Sequence, residues 1–155
     1  MNLGLIPGET VPGAVEIIVR GLPVPQGSVR AFVNPVTNRA IVVSKQRGGS
    51  LGIWRNRIAS EAQRAMEGRP PLDCAVRVQA VFVFPRPSIH LSKRGGLVPS
   101  APLHKTTAPD LDKALRAVFD GMSHVIYRDD VLVVELSASK VYGPEPGVRV
   151  RVTPL

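Results

Sequence analysis

Three aspartates, Asp110, Asp112 and Asp130, are the residues of this chain whose type and spacing best suit chemistry. Carboxylate oxygens are the ligands that Mg²⁺ and Mn²⁺ prefer in proteins. Like charges at close range raise one another's pKa unless a cation neutralises them. If the three carboxylates meet, they predict a site for Mg²⁺, with Mn²⁺ as the alternative.

A helix is predicted to begin at Asp110, because Pro109 keeps the preceding residue extended and the Asp110 carboxylate can cap the first turn. Gly121 is expected to end this helix. Apolar residues at three- and four-residue spacing predict one buried face, formed by Leu111, Ala114, Leu115, Val118, Phe119 and Met122. The opposite, ionic face carries Asp112, Arg116 and Asp120.

A strand is predicted to begin directly after Asp130, because the run 131–136 is short, apolar and β-branched. Its core-facing row is expected to comprise Leu132, Val134, Leu136, Ala138, Lys140 and Tyr142. A helix of about twelve residues is roughly 18 Å long. The connecting residues 123–129, at up to about 3.3 Å each, can return the chain to the helix start. Asp130 can therefore reach Asp110 and Asp112.

The remaining elements predict an α+β fold with a single domain, in which a mixed, mainly antiparallel sheet carries two principal helices. Strands are expected at 14–20, 31–33, 40–43, 74–84 and 148–152. The first helix is expected to have Ser50 as its N-cap and Trp54 on its apolar face, as a core residue more than a base-stacking one. Residues 1–13 show no periodicity and are expected to form a flexible lead-in to a domain spanning 14–155.

The composition favours a polyanionic partner, because the net charge is +8 at pH 7 and the pI is about 10.6. No apolar run approaches the length of a membrane span and no signal segment begins the chain, so a soluble, cytoplasmic protein is expected. The single cysteine, Cys74, cannot form an internal disulfide or a zinc site and is interpreted as a packing residue.

The long segment 85–108 is rich in proline and basic residues and is expected to serve a substrate. Its candidate DNA contacts are Lys93, Arg94 and Lys105. His90 and His104 are interpreted as solvated loop residues, since neither has another ligand type at a fixed short spacing.

The motifs around the aspartates resemble the RusA family of Holliday junction resolvases. They are D-L-D at 110–112, a basic residue at Arg116, V-F-D at 118–120, D-D-x-x-V-V at 129–134 and K-x-Y at 140–142. The layout is similar over roughly 14–153, although only 109–142 is specific. The family often has Asn and Lys where this chain has Lys113 and Arg116.

The resemblance implies that Asp110, Asp112 and Asp130 bind the metal ion. It also implies that Arg116 and Lys140 face the scissile phosphate, although Lys140 could instead extend to water from its strand. Further DNA contacts are candidates in the P-x-P loop, at Gln26, Ser28 and Arg30, and beside the aspartates at Lys113. The loop is equally consistent with an ordinary connection between strands.

The main hypothesis is a Mg²⁺-dependent endonuclease that resolves Holliday junctions and other branched DNA by paired phosphodiester hydrolysis. Paired cuts in a four-way junction require two sites, so a homodimer is expected, with the hairpin 31–43 and the sheet edges as candidate interfaces. The alternative is a basic DNA-binding module without catalysis, in which the acidic residues are solvated. A Mg²⁺-dependent phosphotransferase is ranked last, because the sequence has no P-loop.

Overall fold

The computed structural model describes residues 11–27, 29–44 and 49–155. For residues 29–32 and 42–44 it describes the backbone but not the side chains. Most of the expected lead-in, and Ser28, therefore lie outside the described residues. The helices and strands, in chain order, are β1 (Val15–Arg20), β2 (Val29–Val33), β3 (Ala40–Ser44), α1 (Ser50–Met66), β4 (Val76–Phe84), α2 (Leu111–Met122), β5 (Val133–Tyr142) and β6 (Gly147–Pro154). Short 3₁₀ turns occupy Ser88–His90 and Asp130–Leu132.

The main sheet has four strands in the order β1-β6-β4-β5. β1 and β4 pair with β6 in antiparallel register, whereas β4 and β5 are parallel because α2 forms the crossover between them. The predicted α+β class, with a mixed and mainly antiparallel sheet and two principal helices, is confirmed. β2 and β3 form a separate hairpin, whose turn is held by the Asn34 side chain accepting from the backbone of Val36 (2.8 Å).

The core lies between one face of this sheet and the two helices. Alternate residues of β4 and β6 point into it, namely Val76, Val78, Ala80, Phe82, Val148, Val150 and Val152. From α1, Trp54 and Ile58 are 2% and 0% exposed, which confirms Trp54 as a core residue. The predicted apolar face of α2 is buried against α1 at Ala114, Leu115, Val118 and Met122.

The helix ends differ from the sequence predictions. Gly49, not Ser50, is the N-cap of α1. Asp110 is the N-cap of α2 as predicted, but its side chain makes no capping hydrogen bond. Gly121 does not end α2, because the helix continues to Met122. A Cβ on Gly121 would lie 2.7 Å from Cγ2 of Ile58, so this glycine allows α1 and α2 to approach closely.

The segment after Asp130 is also different from the prediction. Residues 130–132 form a 3₁₀ turn, and β5 starts only at Val133. β5 is an edge strand, on which Val134 and Leu136 are 61% and 50% exposed. The predicted core-facing row of this strand is therefore only partly buried.

Replacing Gly121 with alanine is expected to destabilise the protein by about 1–3 kcal/mol, because the added methyl group would overpack the contact with Ile58. Gly52→Ala in α1 is the matched control, because no atom lies within 4 Å of the added Cβ. It is expected to stabilise by up to about 1 kcal/mol through helix propensity. Urea unfolding of both variants measures the difference, and equal stability changes would contradict the close helix contact.

Candidate metal centre

The start of α2 carries two of the predicted ligands. Asp110 occupies the N-cap with extended backbone angles, and Asp112 lies in the first turn. The positive end of the helix dipole favours carboxylates at both positions. The Asp110 carboxylate is turned onto Lys113, whose Nζ donates at 2.5 Å. This bond and the Lys113 charge lower the pKa of Asp110, and the same bond and the Asp110 charge raise the pKa of Lys113.

The third predicted ligand, Asp130, lies in the 3₁₀ turn before β5. Its neighbour Asp129 accepts from the backbone N–H of Val131 at 3.0 Å, and this bond is the main reason that the pKa of Asp129 is lowered. The pKa of Asp130 is raised, first by partial burial of its carboxyl group and then by the hydrogen bond and charge of Asp129 and by the charge of Asp120. Negative charge is therefore concentrated around this turn.

The three predicted ligands do not surround a common metal position in this structure. Within 11–27, 29–44 and 49–155, no three Asp, Glu, His or Cys side chains are placed so that they could hold one ion. Asp110 is engaged by Lys113, and Asp130 interacts with Asp129. The donors themselves fit Mg²⁺, because all are exposed carboxylates and those around Asp130 repel one another without a cation. The metal assignment stays a prediction.

Lys140 binds the loop that precedes Asp110. Its Nζ donates to the carbonyl oxygens of Thr107 and Pro109, both at 2.8 Å. Lys105 reinforces the same loop, because its Nζ donates to Thr107 Oγ1 at 2.9 Å and to the Ala108 carbonyl at 2.8 Å. Burial and the nearby Lys140 charge lower the pKa of Lys105. Both ammonium groups thus hold the backbone that positions Asp110.

Two residues near the aspartates were missed by the sequence analysis. Arg55 of α1 donates to Asp120 at 2.5 Å and thereby links the two helices through an ion pair. Tyr127 is fully buried, and that burial, followed by the charge of Asp130, raises the pKa of its hydroxyl group. Tyr127 could have been identified from its position close to Asp130 in the sequence. Arg55 is distant in the sequence from the aspartates, so no local pattern pointed to it.

The residues predicted to contact DNA differ in their structural surroundings. Gln26 is fixed to α2, because its backbone N–H donates to the Lys113 carbonyl at 3.0 Å. Lys93 and Arg94 are exposed at a turn closed by the bridge between Leu91 and Leu97. Arg116 is exposed on α2. The Arg30 side chain lies outside the described residues.

Both loop histidines were interpreted as solvated residues, and the structure agrees for only one of them. His104 is exposed, as expected. His90 instead packs edge-on against Tyr142, with ring centroids 5.5 Å apart, and its Nδ1 is buried. Arg86 covers the same tyrosine, with its guanidinium carbon 4.4 Å from the ring centroid. The K-x-Y tyrosine therefore anchors the basic loop to β5.

Comparison with known proteins gives two findings. The family described as "Endodeoxyribonuclease RusA" matches residues 23–153. The "Uncharacterized protein YqaN" of Bacillus subtilis (strain 168) is 46% identical over 50 residues, which cover 32% of this chain and 35% of that protein. The chain thus matches about a third of this relative's length. Among the described residues, no helix is long and apolar enough to cross a membrane.

Replacing Lys140 with methionine is expected to loosen the loop before Asp110, because two hydrogen bonds to backbone carbonyls are lost. Each contributes about 1 kcal/mol or more to the stability of the loop. Backbone NMR order parameters at Thr107, Ala108 and Asp110 should therefore fall. Lys93→Met is the control, because Lys93 is exposed. Order parameters in the Lys140 variant that match the control would contradict the holding role.

Proposed function

The chain belongs to the RusA endodeoxyribonuclease family, and from this premise we propose that it is a Mg²⁺-dependent endonuclease that resolves four-way DNA junctions by paired phosphodiester hydrolysis. The observation that carries the proposal is the pair of carboxylates on the first turn of α2, inside the region matched by the family. The high positive charge of the chain supports DNA as the substrate. The expected location is the cytoplasm of a bacterial or phage-infected cell, where such DNA occurs.

In this proposal Asp110, Asp112 and Asp130 hold the metal ion. A bound divalent cation would activate a water molecule and stabilise charge on the phosphate. Lys140 and Lys105 act on Asp110 through the backbone of its loop, so they are positioning residues. Because Lys140 is engaged there, Arg116 is the better candidate for contact with the scissile phosphate.

The ion pair between Lys113 and Asp110 suggests a role for Lys113 in phosphate binding. If a cation binds at Oδ2 of Asp110, the Lys113 ammonium would lose its partner and become available to a DNA phosphate. Lys93 and Arg94, at the exposed turn, are proposed to contact phosphates farther along the strand.

One observation favours a second candidate function, a DNA-binding module without catalysis. Asp110 is already neutralised by Lys113, and the described carboxylates are not arranged around one cation position. In such a module the acidic residues would have only electrostatic and helix-terminal roles. The two candidates differ in whether added Mg²⁺ leads to cutting of a bound junction.

The nuclease proposal is tested with Asp112→Asn and Asp130→Asn, which remove a metal-binding charge while preserving side-chain size. The cleavage rate of both variants is expected to fall at least about a thousandfold, because the centre that stabilises charge on the phosphate is lost. Binding to a four-way junction should be retained or tightened, because each change removes a negative charge near phosphates. Nicking is measured on labelled junctions with Mg²⁺ and with a chelator.

The control for this experiment is Glu61→Gln on α1, which makes the same charge change at a carboxylate paired with Arg64. It should cut at the wild-type rate. Cleavage by the Asp112 or Asp130 variant at the control rate would remove that residue from the centre. A wild-type chain that binds junctions but never cuts them would establish the second candidate.

We also propose a symmetric dimer that joins two chains at the β5 edge. Among the described residues no strand pairs with the outer side of β5, and Leu136 there is 50% exposed. A two-fold contact at this strand would place both Asp130 turns near the same interface. It would supply the second active site that paired cutting requires.

The dimer is tested by light scattering at micromolar concentration. Leu136→Asp is expected to give a monomer, because it buries a charge in the proposed interface. Ile18→Asp is the matched control, since Ile18 is 52% exposed on β1, the opposite edge strand. A monomeric control beside a dimeric Leu136 variant would place the interface at β1. A wild-type monomer that still makes paired cuts would refute the dimer altogether.

A further inference from the structure

A groove of about 790 Å³ lies beside the start of α2. We call it the proline groove; its lining includes Pro23, Pro25, Gln26, Phe84, Pro85 and Asp110. One wall comes from the loop after β1, and the other from the end of β4. Pro23 and Phe84 are buried in these walls, whereas Leu22 at the rim is 60% exposed. The groove is therefore mainly apolar and open to solvent.

The groove is continuous with the candidate metal centre, because Asp110 belongs to both. Lys113 lines it next to Asp110, and Lys105 lies at the Phe84 wall, with Nζ 4.9 Å from the ring centroid. Lys113 at the rim would favour a phosphate once it is released from Asp110, whereas the proline and phenylalanine surface favours a flat, weakly polar group. A nucleotide combines these two chemistries.

Gln26 supplies a polar group inside this apolar surface. Its backbone is fixed by the hydrogen bond to the Lys113 carbonyl. Its side-chain Oε1 is buried, and no donor among the described residues reaches it. A side-chain amide offers two donors and an acceptor, which suits the hydrogen-bonding edge of a base.

We propose that the proline groove binds one unstacked base next to the scissile phosphate, and that Gln26 reads the edge of that base. The inference rests on the proposed nuclease function. A volume of about 790 Å³ lies in the range of small-ligand sites, so a single nucleotide fits the groove. Unstacking is least costly at a branch point, where base stacking is already interrupted. The groove therefore makes Gln26 a candidate determinant of cleavage-site preference.

The test uses junctions in which one nucleotide near the mapped cut is replaced by an abasic analogue. Loss of the base at one position is expected to lower kcat/KM by about tenfold for the wild type, the scale of one base–side-chain contact. Leu22→Ala should lower kcat/KM severalfold on the intact junction but not on the abasic one. Gln26→Leu should alter the preference among the four bases at that position.

The matched control is Ile53→Ala in a second groove of about 790 Å³, which lies between β1 and α1 and is lined by Arg20, Arg57 and Arg64. Ile53 is 58% exposed, close to the exposure of Leu22. This variant should behave as wild type on both substrates. Equal losses for the Leu22 and Ile53 variants, or abasic substrates all cut at the wild-type rate, would overturn the inference.

A second readout separates this inference from the nuclease proposal. The fluorescence of 2-aminopurine at the same position should rise when the protein binds the junction in chelator, and the rise should be reduced in Leu22→Ala but not in Ile53→Ala. A chain that cuts normally but gives no such rise refutes the groove and keeps the nuclease. A chain that never cuts refutes the nuclease, while the fluorescence still decides whether the groove holds a base.

Discussion

The candidate site depends on the placement of α2, which is constrained at both ends. At its C-terminal end, Gly121 presents no side chain to Ile58, so the two helices pack at a distance that any larger residue would increase. At its N-terminal end, Lys140 holds the carbonyl of Pro109, one residue before Asp110. Because β4 and β5 run parallel on either side of this crossover, the same constraints fix the helix relative to the sheet. A shift at either end would move Asp110 and Asp112 together.

The electrostatics around this helix combine two opposing requirements. A chain of net charge +8 is suited to bind a polyanion, yet its most basic loop leads into a group of carboxylates. The structure meets these requirements by using several cations internally. Lys113 pairs with Asp110, Arg55 pairs with Asp120, and Lys105 and Lys140 bind backbone carbonyls. The net charge therefore overstates the number of cations that can meet DNA, and the exposed Lys93 and Arg94 are better candidates for that contact than Lys105.

The fold class, the strands and the buried face of α2 could be predicted because they follow from periodicity, which a single segment contains in full. The N-cap at Asp110 could also be predicted locally, because a proline followed by an aspartate is a signal for the start of a helix. The error at Gly121 has a different origin, since it depends on a contact with a distant segment. The late start of β5 has a local cause, because the Asp129 side chain accepts from the N–H of Val131 and stabilises a 3₁₀ turn there. A glycine near a helix end has the same local signal whether it terminates the helix or touches a neighbouring one. The engagement of Lys140 with the loop before Asp110 likewise joins residues about thirty positions apart, and no local pattern encodes it.

The pairing of Asp110 with Lys113 bears on how metal and DNA binding would be related in the proposed enzyme. Lys113 donates to Oδ2 of Asp110, so a divalent cation bound at that oxygen would cost the ion pair. The released ammonium group lies on the lining of the proline groove, where a phosphate can replace the lost carboxylate. In the proposed enzyme, DNA bound there would offset the cost of separating the pair, and thermodynamic linkage would then require that DNA tighten metal binding by the same factor by which metal tightens DNA binding. An ion pair that at first sight argues against a metal centre is therefore compatible with one that assembles together with its substrate.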